Sequence, residues 1–378
     1  MKKSPNTLPL ADYLKLVDPT DKMPPELAPV LFGLFGEVGS VMAASKKHHR
    51  EKDVYTGFRD AAIEEFGDAL WYLTAIMRRL QLPVDEIFAN AIAQNEHQTA
   101  VAANDLPGWP IALAKRTVPP PELDPALLKL GDAAAGLLTI AGNQTNARSL
   151  LETFAAFYLQ AVQASEMSFA EIAEYNARKT RGRFLPPDLA ALPTFDEGFD
   201  EEERIPQHFE VRFTLRKSGK SYLQLNGVFV GDPLTDNIAD PDGYRFHDVF
   251  HLAHAAILHW SPVFRALIKQ KRKSDPQYDE TEDGGRAIVV EEGLTAWIFS
   301  QAKHLGFFIG NDKLSFDLLK SVEKFVAGYE VARCPLSLWE RAILQGYAAF
   351  RKLRENDGGL IVGDRSSRSL EFRATGGR

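Results

Sequence analysis

Three acids stand at spacings that could gather in one cleft. Glu65 and Asp68 lie three apart, and residues three apart in a helix share a face. Glu37 lies in the helical stretch before them, so an antiparallel helix pair would bring three carboxylates together. Oxygen-only ligands of this kind suit Mg²⁺, which keeps several waters and bridges to substrate phosphates. Mn²⁺ is the nearest alternative ion. The same stretches are strongly apolar, with Val30, Leu31, Leu34, Phe35 and Val41 on one and Ile63, Phe66, Leu70, Trp71 and Leu73 on the other. Acids on a helix otherwise form a solvated face, which is the alternative. Gly36, Gly39 and Gly67 each cost about 1 kcal/mol against Ala inside a helix. Glycines beside acids imply close helix approach or room for a ligand.

A second constellation stands far along the chain. His247, His251 and His254 follow i, i+4, i+7 and form one helical stripe, with Asp248 beside them. A later helix offers Glu291 and Glu292, following Arg286. Imidazoles with carboxylates can hold a second metal ion, Zn²⁺, Mn²⁺ or Fe²⁺. They can equally form an acid/base pair without metal. The spacing is not the His-Glu-x-x-His zinc signature, and a His-Asp pair alone does not establish an HD-type phosphohydrolase. A polar seam satisfied by hydrogen bonds is the structural alternative.

The chain that positions these residues has 378 residues, enough for two or three domains, with 45% hydrophobic and 25% charged residues. A net charge of −7 argues against broad nucleic-acid binding and leaves free nucleotides open. The lone Cys334 has no internal disulfide partner and suits a cytoplasmic location. No apolar run follows the start, so no signal peptide is expected there, and no stretch reads as long and apolar enough to cross a membrane.

In order, the pattern predicts a short helix over 8–17 and helices over 25–47 and 57–80, with a charged loop at 48–56 between the last two. Pro83 opens a further helix that continues toward 98. Residues 1–100 form this first unit. Prolines 107, 110 and 119–121 mark 101–126 as a linker. Residues 127–185 then read as a worn copy. The run at 130–138 echoes 35–42, 157–162 echoes 71–76, and 170–173 echoes 85–88. Asp132 answers Glu37, but no Glu-x-x-Asp pair survives near Glu152. Two unrelated amphipathic hairpins are the alternative; the ordered series of matches favours a repeat. The Pro-rich, acidic 186–207 reads as a second linker. Residues 208–378 change character. Alternation over 209–216 and 221–226 predicts a hairpin, helices follow near 243–260, 262–273, 286–305, 315–330 and 336–355, and a last strand falls at 360–362 or 369–372. The fold expected is mainly α, a tandem helical repeat followed by an α+β domain.

The first unit resembles the MazG-type nucleotide pyrophosphohydrolases, an all-helical family whose pattern is a Glu-x-x-Glu helix followed by a Glu-x-x-Asp helix. Glu37, Glu65 and Asp68 fall on it, within Gly-Glu-Val-Gly and Glu-Phe-Gly-Asp-x-Leu-Trp-Tyr-Leu contexts, with basic Lys46 and Lys47 between the helices. Ser40 departs, standing where the pattern has its second Glu, and a hydroxyl is a weaker Mg²⁺ ligand. The family's closing Asn, Lys and Arg match Asn176, Lys179 and Arg183 in the second copy, whereas the first copy has Asn90 with no basic residue after it. The resemblance implies Mg²⁺-dependent cleavage of a nucleoside triphosphate to monophosphate and pyrophosphate. It makes Glu37, Glu65 and Asp68 the metal ligands and Lys46, Lys47, Asn176, Lys179 and Arg183 the phosphate contacts. The last three equally suit a helix C-terminus, where positive charge is favoured. Family members assemble as dimers, so either a homo-oligomer or a pseudo-dimer within one chain with one live site is implied. The residues at 208–378 resemble the C-terminal extension of some MazG-type proteins. Two other functions fit the same residues. One is a degenerate nucleotide sensor regulating a His/Glu metal-dependent hydrolase in the C-terminal domain, and the other is a purely dimerising helical scaffold.

Overall fold

Seven apolar-periodic stretches become seven helices in the computed structural model, which describes residues 8–93, 107–110, 122–236 and 238–374. They make the first of two units, residues 1–185 and 186–378. They are α1 (Leu10–Thr20), α2 (Leu27–Glu51), α3 (Phe58–Arg79), α4 (Val84–Ala93), α5 (Leu123–Leu137), α6 (Ala147–Ala164) and α7 (Phe169–Phe184). α2 and α3 form an antiparallel hairpin. Near one end His48 stacks on Phe58, centroids 4.8 Å apart, and at the other Gly33 lies under the Tyr72 ring. α5 and α6 form a second hairpin. The third helix of each set is exchanged: α4 packs on α6 and α7 packs on α3. Polar pairs repeat this exchange. Arg59 pairs with Glu171, and Arg148 with Glu86. Asn176 donates to Asp68, and Asn90 to Glu152.

Several expectations change. α2 runs to Glu51 and continues as a 3-10 turn, Lys52–Val54, so most of 48–56 is helical. His48, His49 and Arg50 fill its last turn, where cations are favoured. By length and composition α2 is also apolar enough to cross a membrane, contrary to the sequence reading. Here its Val30, Leu31, Leu34, Val38 and Val41 pack in the helical core, while Phe32 and Phe35 are exposed. The linker read at 101–126 is partly structured. Trp109 is buried against Tyr13, Phe88 and Phe169, Leu10 N–H donates to Pro107 C=O, and α5 begins at Leu123. The expected continuation of α4 to 98 lies outside the described residues.

The second unit is α+β. Strands β1 (His208–Leu215), β2 (Ser221–Leu225), β3 (Val228–Leu234), β4 (Gly358–Asp364) and β5 (Ser369–Arg373) form one antiparallel sheet in the order β3-β2-β1-β4-β5. Phe209, Val211 and Phe213 alternate inward from β1, as period two requires. Both stretches offered for the last strand are strands, and they pair with each other. The helices are α8 (Asp248–Ala253), α9 (Pro262–Ile268), α10 (Pro276–Thr281), α11 (Gly285–His304), α12 (Phe316–Phe325) and α13 (Leu336–Glu355). The single helix expected at 243–260 is segmented into a 3-10 turn, α8 and a π turn at His254–Leu258, ended by His259 at φ 60°.

The stretch 186–207 is not a free linker. Phe195 and Ile205 sit in the second core. Asp196 accepts from Arg265 at 2.7 Å, Arg365 at 2.6 Å and the Ile205 N–H at 2.9 Å. Burial alone would raise the Asp196 carboxyl, but the two guanidinium groups hold it below its usual range. Its partners lie tens of residues away, beyond what local composition can show.

Candidate functional site

The α2–α3 pairing brings Glu37, Glu65 and Asp68 together, with one carboxylate oxygen of each within 4.8 Å of the others. All three are partly exposed, so the cluster opens to solvent. α7 closes one side. Its approach to α3 depends on Gly67, where a Cβ would stand 2.9 Å from Asn176 Cβ. Asn176 is buried and donates through Nδ2 to Asp68 Oδ1 at 3.0 Å, while its Oδ1 accepts from the Tyr13 hydroxyl at 2.9 Å. Lys179 Nζ donates to Glu64 Oε1 at 2.7 Å and to Asp68 Oδ2 at 2.5 Å. The ammonium of the second helical set therefore stands against the acids of the first, within one chain.

Three carboxylates with one cation carry excess negative charge. Burial, a hydrogen bond with Glu65 and the charges of Asp68 and Glu65 push Glu37 up to about 8, against the pull of Lys179. Burial likewise raises Asp68, although Lys179 opposes it. Burial would lower Lys179, but Asp68 and Glu64 raise it, so it stays charged. A divalent cation at such a focus reverses this pattern by favouring the ionised acids.

The structure redistributes the other predicted residues. Asn176 is a carboxylate-orienting residue rather than an open phosphate contact. Arg183 lies one turn beyond Lys179 on α7. Lys46 and Lys47 stand about 14 Å further along α2 than Glu37. Lys47 lies over the Tyr55 ring at 4.3 Å and 3.9 Å from Glu51. Neither lysine is brought to the carboxylates. Of the three glycines, only Gly67 serves close approach; a Cβ at Gly36 or Gly39 would meet open space. Glu64 points about 100° away from Glu65 on the helix, so the spacing of Glu65 and Asp68 does not include it. Its i, i+4 relation to Asp68 was the available clue, because both bind Lys179. Nothing in the sequence pointed to Tyr13.

The second cluster is mostly buried. His247 Nε2 lies 3.9 Å from Asp248 Oδ1 and 3.7 Å from Glu292 Oε2, and His251 Nε2 lies 3.5 Å from Glu292 Oε2. His247 Nδ1 is 2.9 Å from the Tyr244 carbonyl, and the Tyr244 ring stacks on His247 at 4.4 Å. His251 Nδ1 is 3.0 Å from Glu291 Oε1, yet neither ring nitrogen of this fully buried histidine is aligned for a hydrogen bond. Glu291 also takes His254 Nδ1 at 2.9 Å, the Ser261 hydroxyl at 2.8 Å and the Val263 N–H at 2.9 Å. His254 thus belongs to the surroundings of Glu291. Burial would lower His251, but Glu291 raises it; burial would raise Glu291, but His251 lowers it.

A helical unit with an all-oxygen acid cluster is thus followed by an α+β domain with a His/carboxylate cluster. Residues 190–376 match the family model of the MazG C-terminal domain, so the second unit is a domain of that family. This is consistent with the MazG-type resemblance of the helical unit. Neither a curated protein nor a solved structure matches the chain.

Proposed function

We propose that the helical unit is a Mg²⁺-dependent nucleoside triphosphate pyrophosphohydrolase, converting an NTP or dNTP to the monophosphate and pyrophosphate, with Mn²⁺ as an alternative ion. The observation that carries this is the convergence of Glu37, Glu65 and Asp68 with Lys179 from a distant helix. The donor set fits the ion. It is all oxygen, open to solvent, and crowded enough to keep Glu37 protonated up to about 8. When bound, the ion neutralises phosphate charge and makes water a better nucleophile. Glu37, Glu65 and Asp68 would hold it. Tyr13 and Asn176 orient Asp68. Lys179 and Arg183 supply positive charge for the polyphosphate, where it stabilises the departing pyrophosphate.

The tandem-repeat reading belongs with this proposal. Exchange of α4 and α7, the two Arg–Glu pairs and the two Asn–carboxylate bonds all support a pseudo-dimer. In the offset that matches Trp71 to Phe157, Leu151 and Phe154 stand where Glu65 and Asp68 would be, and both are fully buried. One live site per chain follows.

The test is pyrophosphate release from a panel of ribo- and deoxyribonucleoside triphosphates with Mg²⁺ or Mn²⁺. Glu65→Gln should cut release by at least about 100-fold, as loss of a ligand does more than loss of its outer support. Nucleotide binding without release by wild type would point to the sensor, with Ser40 as its cause. No binding at all would leave a scaffold.

A further inference from the structure

We propose that the second unit holds one divalent transition-metal ion on His247 Nε2, His251 Nε2, Asp248 and Glu292. This does not depend on the pyrophosphohydrolase reading. α8 sets His247 and His251 one turn apart on one face with Asp248 beside them, and α11 brings Glu292 across. The separations between their facing atoms, 3.5, 3.7 and 3.9 Å, are too long for hydrogen bonds. They lie at or a few tenths of an ångström beyond the roughly 3.3–3.6 Å edges of a tetrahedron with metal–ligand bonds near 2.0–2.2 Å, so a small inward movement of the side chains would close them on one ion. A satisfied polar seam would instead engage both nitrogens of each imidazole, and His251 Nε2, on a fully buried ring, has no aligned hydrogen-bond partner.

The outer groups complete the case. A ligating imidazole ordinarily turns its other nitrogen to a carboxylate or backbone carbonyl, which fixes tautomer and ring direction. His247 Nδ1 faces the Tyr244 carbonyl at 2.9 Å, and His251 Nδ1 faces Glu291 at 3.0 Å. Both Nε2 atoms are thereby directed at the same focus. Glu291 is anchored by Ser261, the Val263 backbone and His254, so it is a positioning residue rather than a ligand. The other metal-compatible trio, His251, His254 and Glu291, has its carboxylate already committed to those donors. Two nitrogen ligands favour Zn²⁺, Fe²⁺, Mn²⁺ or Co²⁺ over Mg²⁺. The Glu292 side chain is 40% exposed against 12% for His247 and Asp248, so the ion reaches the site from that flank. α8 passes directly into a π turn, a distortion common beside functional sites.

The test uses the full chain carrying Glu65→Gln, which weakens the all-oxygen first cluster as a competitor. After chelator treatment it is titrated with Co²⁺, whose visible spectrum reports nitrogen ligands and low coordination number. One equivalent should give a strong visible band that Zn²⁺ abolishes and excess Mg²⁺ does not. Adding His247→Gln or Glu292→Gln should weaken Co²⁺ binding at least about 10-fold. Thermal unfolding of each variant separates lost binding from lost fold, and Glu292→Gln changes the most exposed ligand. Absence of the band in the parent overturns the proposal. So does a band that survives both substitutions in folded protein, or one that Mg²⁺ displaces as readily as Zn²⁺.

Discussion

Glu37 and Glu291 are both glutamates near two other titratable groups, yet their carboxyls move in opposite directions. Glu37 is pushed up to about 8 by burial and by the acids Glu65 and Asp68. Glu291 is more deeply buried, but the imidazoles of His251 and His254 hold it below the usual carboxylate range. The first cluster is short of positive charge, and the second supplies its own. Burial therefore does not decide the protonation state of a carboxylate; the sign of its neighbours does. A cluster of the first kind costs stability while its acids stay ionised and unneutralised, whereas Glu291 in the second is part of the core.

Exchanging the damage should sharpen this contrast most. Glu291→Ala leaves Ser261, the Val263 N–H and two histidines without their shared acceptor. It should cost about 3 kcal/mol or more in the second unit, read by urea unfolding followed at its tryptophans. Glu65→Gln should cost far less stability, because it removes one of three crowded acids. Equal losses would break the comparison.

Gly67→Ala tests whether the first cluster depends on helix approach. The added Cβ meets Asn176 Cβ at 2.9 Å, so α7 must shift and carry Lys179 with it. The expected cost is about 1–3 kcal/mol of unfolding free energy together with loss of pyrophosphate release. An unchanged midpoint would remove close α3–α7 packing from the account.

The smallest effect is the pH dependence. The Glu37 carboxyl is raised in the folded state, so its contribution is full below the ordinary glutamate range and fades as pH rises through about 8. In metal-free protein Glu37→Gln should therefore flatten part of the fall in Tm over that window. Mg²⁺ should raise the wild-type Tm more at high pH than at low pH. A pH-independent Mg²⁺ effect would mean the ion does not displace a proton from this cluster.

Much of the fold was legible because its elements are periodic. The apolar spacing in α3 and α13 placed those helices within a few residues, and the alternation in β1 and β2 gave the hairpin. β3 escaped notice because both its faces are largely exposed and it contains Pro233, so its inside and outside residues do not contrast. The linker at 186–207 was misread for a related reason. Its acids looked solvated, and only Arg265 and Arg365, far along the chain, make Asp196 a buried partner.

The candidate sites divide in the same way. Residue type and helical spacing alone gave Glu65 with Asp68, and His247 with His251, because i, i+3 and i, i+4 neighbours share a face whatever the tertiary fold does. The choice between Lys179 and the lysines at 46 and 47 was tertiary. It rests on how α7 crosses α3 at Gly67, a contact between residues more than 100 positions apart. The division of Glu291 from Glu292, one anchored by Ser261, Val263 and His254 and the other facing His247 and His251, was tertiary too. Adjacent helical residues point about 100° apart, and only the packing of α11 on α9 and α8 decides which of the two directions faces the core.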